Sequence, residues 1–231
     1  MIYQLRHPYI AVSSGGGCSY GGNQMRSALK TEREVGCGVI AGLDLLIYLN
    51  RYHLQRSDYG LKVPAPAEGE IPESQYHRMV SALRKKFLPL IPKHGINGLL
   101  LAAGMNACFL VNRMPYTALW GVPYARLWDG IQTMLERDIP VILSIGPNFP
   151  LFWKHRKLKL YVRRADGAFV PGTQTHAHYV TITGMDDEWL RISSWGKMFF
   201  VRREEYLDYV KENSVRLVCN ILYVRKKDRG E

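Results

Sequence analysis

Cysteine is scarce in this sequence: Cys18, Cys37, Cys108 and Cys219 are the four in 231 residues. No two form a C-x-x-C pair, which excludes a zinc ribbon and a thioredoxin-like redox motif. Four are also too few for a disulfide-built scaffold. Long hydrophobic runs are missing too. The longest, Ile96 to Val111, has 16 residues and contains Asn97 and Asn106, short of the about 18 clean apolar residues that mark a bilayer span. No membrane span is expected, and a buried helix is. Met1 to Ser14 holds no basic segment leading into an apolar core, so no secretion signal is read there and a cytoplasmic location is expected. Internal repeats and a domain linker are absent as well.

Acidic residues are outnumbered. Lys and Arg total 31, Asp and Glu 20, for a net charge of +11. Residues 1–150 contribute +5 (15 basic, 10 acidic) and residues 151–231 contribute +6 (16 basic, 10 acidic) in about half the length. The densest run is Lys154, Arg156, Lys157, Lys159, Arg163 and Arg164. Such a field attracts anionic partners, but charge bears on solubility and association before it bears on fold. Leu158, Leu160 and Tyr161 alternate with part of the run, so it also reads as a strand with one wet face. Composition is that of an ordinary globular protein, 47% hydrophobic and 22% charged.

Residues 13–23, SSGGGCSYGGN, form a Gly-rich loop without the Lys-Ser/Thr of a P-loop or the strand-glycines-helix order of a dinucleotide fingerprint. Nucleotide binding is not expected from it. Residues 37–50 read as a helix, apolar nearly all round with Asp44 its one charge, and a helix apolar on every face is buried on every face. Gly38, Ala41 and Gly42 leave room for close packing. Residues 60–72 read as a Pro-rich loop. Residues 73–87 and 124–137 are amphipathic helices, 97–112 another helix, and 139–145 a buried strand. Strands follow at 157–163, 178–184, 189–194, 197–202 and 216–224, with a short helix at 203–212. Helices first and strands afterwards predict an α+β fold over a parallel doubly wound sheet.

Two places hold residues fit for chemistry. Cys37 opens the most apolar helix. A thiol there feels the positive end of the helix dipole, which favours the nucleophilic thiolate. The plain alternative is a small buried hydrophobe. His178 begins the segment HYVTITG, which turns at Asp186-Asp187 and returns as Trp189 to Ser194, placing Ser193 and Ser194 near the imidazole. A general base needs a partner to fix its ring, and a serine hydroxyl can serve, more weakly than a carboxylate or amide. His176 and His178 lack further ligands at zinc spacing. Cys18 reads as an incidental loop thiol, Cys108 and Cys219 as core residues, and Asp44 as a hydrogen-bonded buried carboxylate.

G-C-G before an apolar helix at Gly36–Leu49, H-Y-V-x-I-x-G at His178–Gly184, and S-S-W-G at Ser193–Gly196 occur in that order. Taken together, the chain resembles the papain-like cysteine peptidases, in particular the bacterial branch that includes the double-glycine (bacteriocin) leader peptidases. The resemblance spans roughly residues 37–200. It implies Cys37 as nucleophile and His178 as base. The third residue, Asn or Asp in the family, is serine here. Aligning on S-W-G selects Ser193, counting the gap from the histidine selects Ser194, and a one-residue slip in a strand swaps its face; the S-W-G alignment is slightly favoured. Trp195 would be the indole shielding the polar contact. The family's oxyanion glutamine lies about six residues before the cysteine, where Thr31 stands. Gln24, thirteen residues upstream, is the nearest glutamine, and with the backbone N–H of Cys37 it would hold the oxyanion.

The expectation is therefore one papain-like α+β domain over 1–231. Its helical half lies at about 34–137, with a central helix starting at the cysteine, packed on a β-rich half at about 139–225. The expected function is cysteine peptidase or amide hydrolase, through a thioester, on a peptide or protein substrate. No cofactor, metal or nucleic acid is expected. The alternatives are a non-catalytic papain-like peptide-binding module and, behind it, a basic nucleic-acid- or membrane-surface-binding protein.

Overall fold

A computed structural model describes residues 1–56, 61, 69–146 and 157–227. Most of the Pro-rich loop, together with Lys154 and Arg156 of the basic run, lies outside the described residues.

The chain begins with β1 (Tyr3–Gln4) and a hairpin of β2 (Ala11–Ser14) and β3 (Gly17–Tyr20). A 3-10 turn at Gln24–Arg26 precedes the short helix α1 (Lys30–Val35) and the long helix α2 (Cys37–Tyr48), which runs on as a π-helical turn, Leu49–Leu54. Next come β4 (Ile71–Pro72), α3 (Glu73–Lys86), α4 (Gly98–Val111), β5 (Tyr116–Trp120), α5 (Leu127–Glu136) and β6 (Val141–Ile145). The C-terminal part supplies β7 (Leu158–Arg163), β8 (Phe169–Thr175), β9 (His178–Met185), β10 (Trp189–Ser194), β11 (Lys197–Arg202), α6 (Arg203–Asn213) and β12 (Ile221–Lys226). The fold is α+β, as the order of helices and strands predicts.

Among the described residues the main sheet has the order β5-β12-β6-β9-β10-β11-β7-β8, with β1 added against β9. Every neighbouring pair in it is antiparallel. The helices-then-strands reading needs one adjustment, because β1 and β5 both precede α5, in the part expected to be helical or ahead of it, and both join this sheet. A short β3-β2-β4 sheet also joins the Gly-rich region to the end of the Pro-rich one, both of which the sequence presents as plain loop. Every residue of β6 and of β9 is buried. A strand buried on both pleated faces needs a layer on each, and both α2 and α5 pack against these two strands.

All twelve residues of α2 are buried, Asp44 included. The glycines permit this. A Cβ at Gly38 would press on Ile96 and the Tyr179 ring, and one at Gly42 would crowd Leu88 and Met105. In β7, Leu158 and Leu160 are buried while Lys159, and Lys157 just before the strand, are exposed, the alternation of a strand with one wet face.

Strand β5 is the sheet edge, and an edge needs its free backbone groups covered. Asn106 of α4 does so. Its Nδ2 donates to the Ala118 carbonyl at 2.8 Å and its Oδ1 accepts from the Ala118 N–H at 2.7 Å, as a neighbouring strand would. Asn106→Ala leaves both groups of the buried Ala118 unpaired. It should destabilise the protein by about 1–3 kcal/mol, the cost of an unsatisfied buried polar group, read as a lower urea midpoint at unchanged m-value.

Candidate functional site

The end of the β9–β10 hairpin and the start of α2 meet at one small cavity. Its walls include Cys37, His178, Ser194, Trp195, Gln24, Gly22 and Asp44. It measures about 10 Å³, room for at most one water. Cys37 is 8% exposed and His178 4% exposed.

Cys37 is the first residue of α2, following Gly36, which has no side chain with which to cap the helix. The first-turn N–H groups therefore lack intrahelical acceptors and lie at the cavity. Burial pushes the Cys37 thiol up, against partial relief from the backbone N–H groups of Tyr179, Gly38 and Cys37 itself. His178 pairs with Ile145 of β6 across the sheet. Burial lowers its pKa to about 3. Both shifts have one cause, exclusion of water. They favour a neutral thiol–imidazole pair in the closed cavity over thiolate–imidazolium.

His178 Nε2 lies 2.7 Å from Ser194 Oγ. Ser193, favoured by the S-W-G alignment, points elsewhere: its hydroxyl donates to the Tyr20 carbonyl at 2.7 Å. Of the two serines the sequence left open, Ser194, not the slightly favoured Ser193, is the one at hydrogen-bond distance from the imidazole. Adjacent strand residues face opposite ways, and the β9–β10 register shifts at Arg191/Ile192, so motif alignment and strand register part company here. A serine hydroxyl both donates and accepts. When it accepts from Nε2–H, Nδ1 keeps the lone pair of a base; when it donates to Nε2, the other tautomer is held.

Trp195 stacks on His178, with ring centroids 4.4 Å apart and planes 15° from parallel. It sits in the two-residue turn between β10 and β11. Trp195 (φ 48°) and Gly196 (φ 73°) are both left-handed, as in the primed turns that suit a twisted hairpin. Glycine adopts this readily, but a bulky residue such as tryptophan rarely does. The strained turn is what aims the indole at the imidazole.

Gln24 reaches the cavity from thirteen residues upstream because α1 folds the intervening chain back. Its Nε2 donates to the Arg33 carbonyl at 2.9 Å, and an amide nitrogen has a second N–H to offer. The segment before it is held by Asp44, which accepts from the Gly22 N–H (3.1 Å), the Tyr9 hydroxyl (3.0 Å) and the Tyr76 hydroxyl (2.6 Å). Burial raises Asp44 to about 6 despite these three donors. A Cβ at Gly22 would overlap the Tyr76 hydroxyl. Tyr9, Tyr20 and Tyr76 have no motif around them, and nothing in the sequence distinguishes them from core tyrosines.

The other candidates lie apart. Cys18 is exposed, Cys108 and Cys219 are buried, and all four cysteines are free thiols. His176 is exposed where His178 is buried. Among the described residues no group of three or more His, Cys, Asp or Glu side chains is placed to hold a metal ion. No described helix is long and apolar enough to cross a membrane.

No family model and no curated protein matches the chain. Among solved structures it is similar to a Bacillus anthracis protein described as a "putative C39-like peptidase". Identity is 14% and the TM-score 0.52, over 99% of this chain and 100% of that one. At that identity the likeness speaks to fold alone: the α+β architecture described above is similar to that of this neighbour.

His178 and Asp44 shift stability with pH in opposite senses. The folded state keeps His178 neutral down to about 3, against 6.5 when free, so its contribution falls as pH drops below 6.5. The folded state holds a proton on Asp44 up to about 6, against 3.8 when free. Its contribution is full below 3.8 and is lost as pH rises through 6. Urea midpoints taken from pH 4 to pH 7 should therefore fall less steeply on acidification in His178→Gln than in the unsubstituted protein, and more steeply in Asp44→Asn.

Proposed function

We propose that this protein is a cysteine peptidase or amide hydrolase of the papain-like type, formed as one domain over 1–231. The observation that carries the reading is convergence: Cys37, His178, Ser194 and Gln24, far apart in sequence, line one cavity. In the proposed cycle a wall of the cavity moves to admit a peptide. Water and substrate then relieve the desolvation that keeps the pair neutral. The Cys37 thiol passes its proton to His178, and the thiolate sulfur bonds to the scissile carbonyl carbon. The negative oxygen so formed is held by the Cys37 backbone N–H, at the positive end of α2, and by the second N–H of Gln24. His178 then protonates the leaving amine, the C–N bond breaks and a thioester remains. Water, deprotonated by His178, releases the acid and regenerates the thiol.

Ser194 is a positioning residue in this cycle, holding the imidazole through Nε2, and Trp195 keeps water from that bond. The finer resemblance, to the double-glycine leader peptidases, would make the substrate a peptide precursor; its support is the order of the three sequence motifs.

A second reading, a peptide-binding module without turnover, is favoured by the closed cavity and by serine where the family has Asn or Asp. Iodoacetamide labelling from pH 5 to pH 9, with the modified cysteine located by mass spectrometry, separates the two. A peptidase should label at Cys37 near pH 6, and His178→Ala should slow that labelling about tenfold or more. Labelling of Cys37 only near the free-thiol pKa of about 8.5, indifferent to His178, identifies the binding module. With a cleavable peptide in hand, Cys37→Ala should abolish turnover and Gln24→Ala should lower kcat by about 10²–10³, as loss of one oxyanion donor does. Ser194→Ala should lower kcat more than Ser193→Ala, and should alter the acid limb of the pH–rate profile.

A further inference from the structure

Helix α4 is apolar on the side that faces water as well as on the side that faces the protein. Leu101, Met105, Cys108 and Phe109 are buried, but Leu99 (65% exposed), Leu100, Leu110 (73% exposed) and Val111 stand outside. Ala103 and Ala107 lie exposed between these two pairs. These residues follow helical spacing along one outer stripe, and the helix contains no charged residue. The expectation that 97–112 is simply a buried helix thus holds for one face only. Scattered surface leucines need no explanation, but a continuous apolar stripe marks an interaction surface.

Among the described residues, the charged side chains at the C-terminal end of this stripe are basic. Arg56 donates to the Asn112 carbonyl just past the end of α4, and Arg113 follows it, exposed. Strand β12 brings Arg225 and Lys226 opposite Thr117 and Tyr116 at the start of β5, and the Lys227 N–H donates to the Pro115 carbonyl. Arg56, Arg113, Lys226 and Lys227 thus lie around the C-terminal end of α4, while Arg225 stacks on Tyr223 on the other face of the strand. No Asp or Glu occurs between Phe87 and Trp128. The elements packed on α4 are α2, β5 and β12, and their single carboxylate, Asp44, is buried among Tyr9, Tyr76 and Gly22. A second copy of the chain docking by this same face would offer the cations no carboxylate from its own α4.

We propose that the outer face of α4, with the basic cluster at its C-terminal end, docks on the surface of an anionic lipid bilayer. The helix would lie in the plane of the interface, Leu99, Leu100, Leu110 and Val111 reaching among the acyl chains. Arg56, Arg113, Lys226 and Lys227 would meet the phosphate headgroups. Apolar insertion and attraction to anionic lipid add in such a contact. At 14 residues, α4 rests on the bilayer without spanning it.

The test is vesicle co-sedimentation of the full chain, using vesicles of phosphatidylcholine alone and of equal parts phosphatidylcholine and phosphatidylglycerol. The expected result is binding to the anionic vesicles, weak or absent binding to the neutral ones, and weakening as salt rises. Leu99→Glu/Leu110→Glu alters two exposed positions outside the cavity. It should keep the circular dichroism and urea midpoint of the unsubstituted protein and lose about tenfold or more in vesicle affinity. Arg113→Glu/Lys226→Glu should lose affinity for anionic vesicles by a similar factor. No binding to anionic vesicles overturns the proposal, as does binding that both double variants retain. A concentration-dependent dimer in light scattering that Leu99→Glu/Leu110→Glu dissolves assigns the face to a second copy and overturns it equally.

Discussion

Helix α2 has no wet side, and much of the molecule follows from that. A helix buried all round must be enclosed by other elements, here α3, α4, β6 and β9, and its glycines allow them to approach closely. It must also satisfy its one charged group inside the protein, since an unpaired carboxylate in the interior is costly. Asp44 meets this need by gathering two tyrosine hydroxyls and the Gly22 N–H. That last bond fixes the segment leading into Gln24. The carboxylate two turns along α2 from Cys37 thereby helps shape the cavity that Cys37 lines, with no role of its own in the proposed chemistry.

The parts of the site that were legible in the sequence are those dictated by local patterning. A stretch beginning at Cys37 that is apolar but for Asp44 reads as a buried helix without knowledge of its neighbours. The alternation in HYVTITG and WLRISS reads as a hairpin, and the Trp195-Gly196 pair reads as its neighbour's turn. What depended on register was harder. Ser193 and Ser194 differ by one position and one face, and the β9–β10 irregularity at Arg191/Ile192 cannot be seen in composition or spacing. Gln24 needed the compaction supplied by α1, which motif counting ignores. The sheet partners of β1 and β5 were illegible for a related reason: two to five residues carry too little pattern to announce a pairing made across most of the chain. For α4 the sequence was ambiguous, because a helix apolar all round carries the same signal whether its outer face meets protein or another apolar phase.

Serine beside the imidazole also separates positioning from electrostatics. A carboxylate would stabilise imidazolium by charge as well as orient the ring, and an amide would orient it with a strong fixed dipole. The Ser194 hydroxyl orients it by one hydrogen bond and adds no charge. The couple that exchanges a proton in the proposed chemistry is then Cys37 and His178, and its protonation depends on how much water reaches it. In the arrangement seen here, burial acts on both groups toward neutrality.

The strained turn has an optical consequence. Trp195 lies flat against His178 at stacking distance, and an indole in contact with imidazolium emits more weakly than one in contact with neutral imidazole. The cation is also drawn to the ring's electron-rich face, so the two states of the histidine differ in their hold on this side chain. With the other four tryptophans replaced, emission from Trp195 is thereby a gauge of the proton on His178, readable without a substrate and without a label.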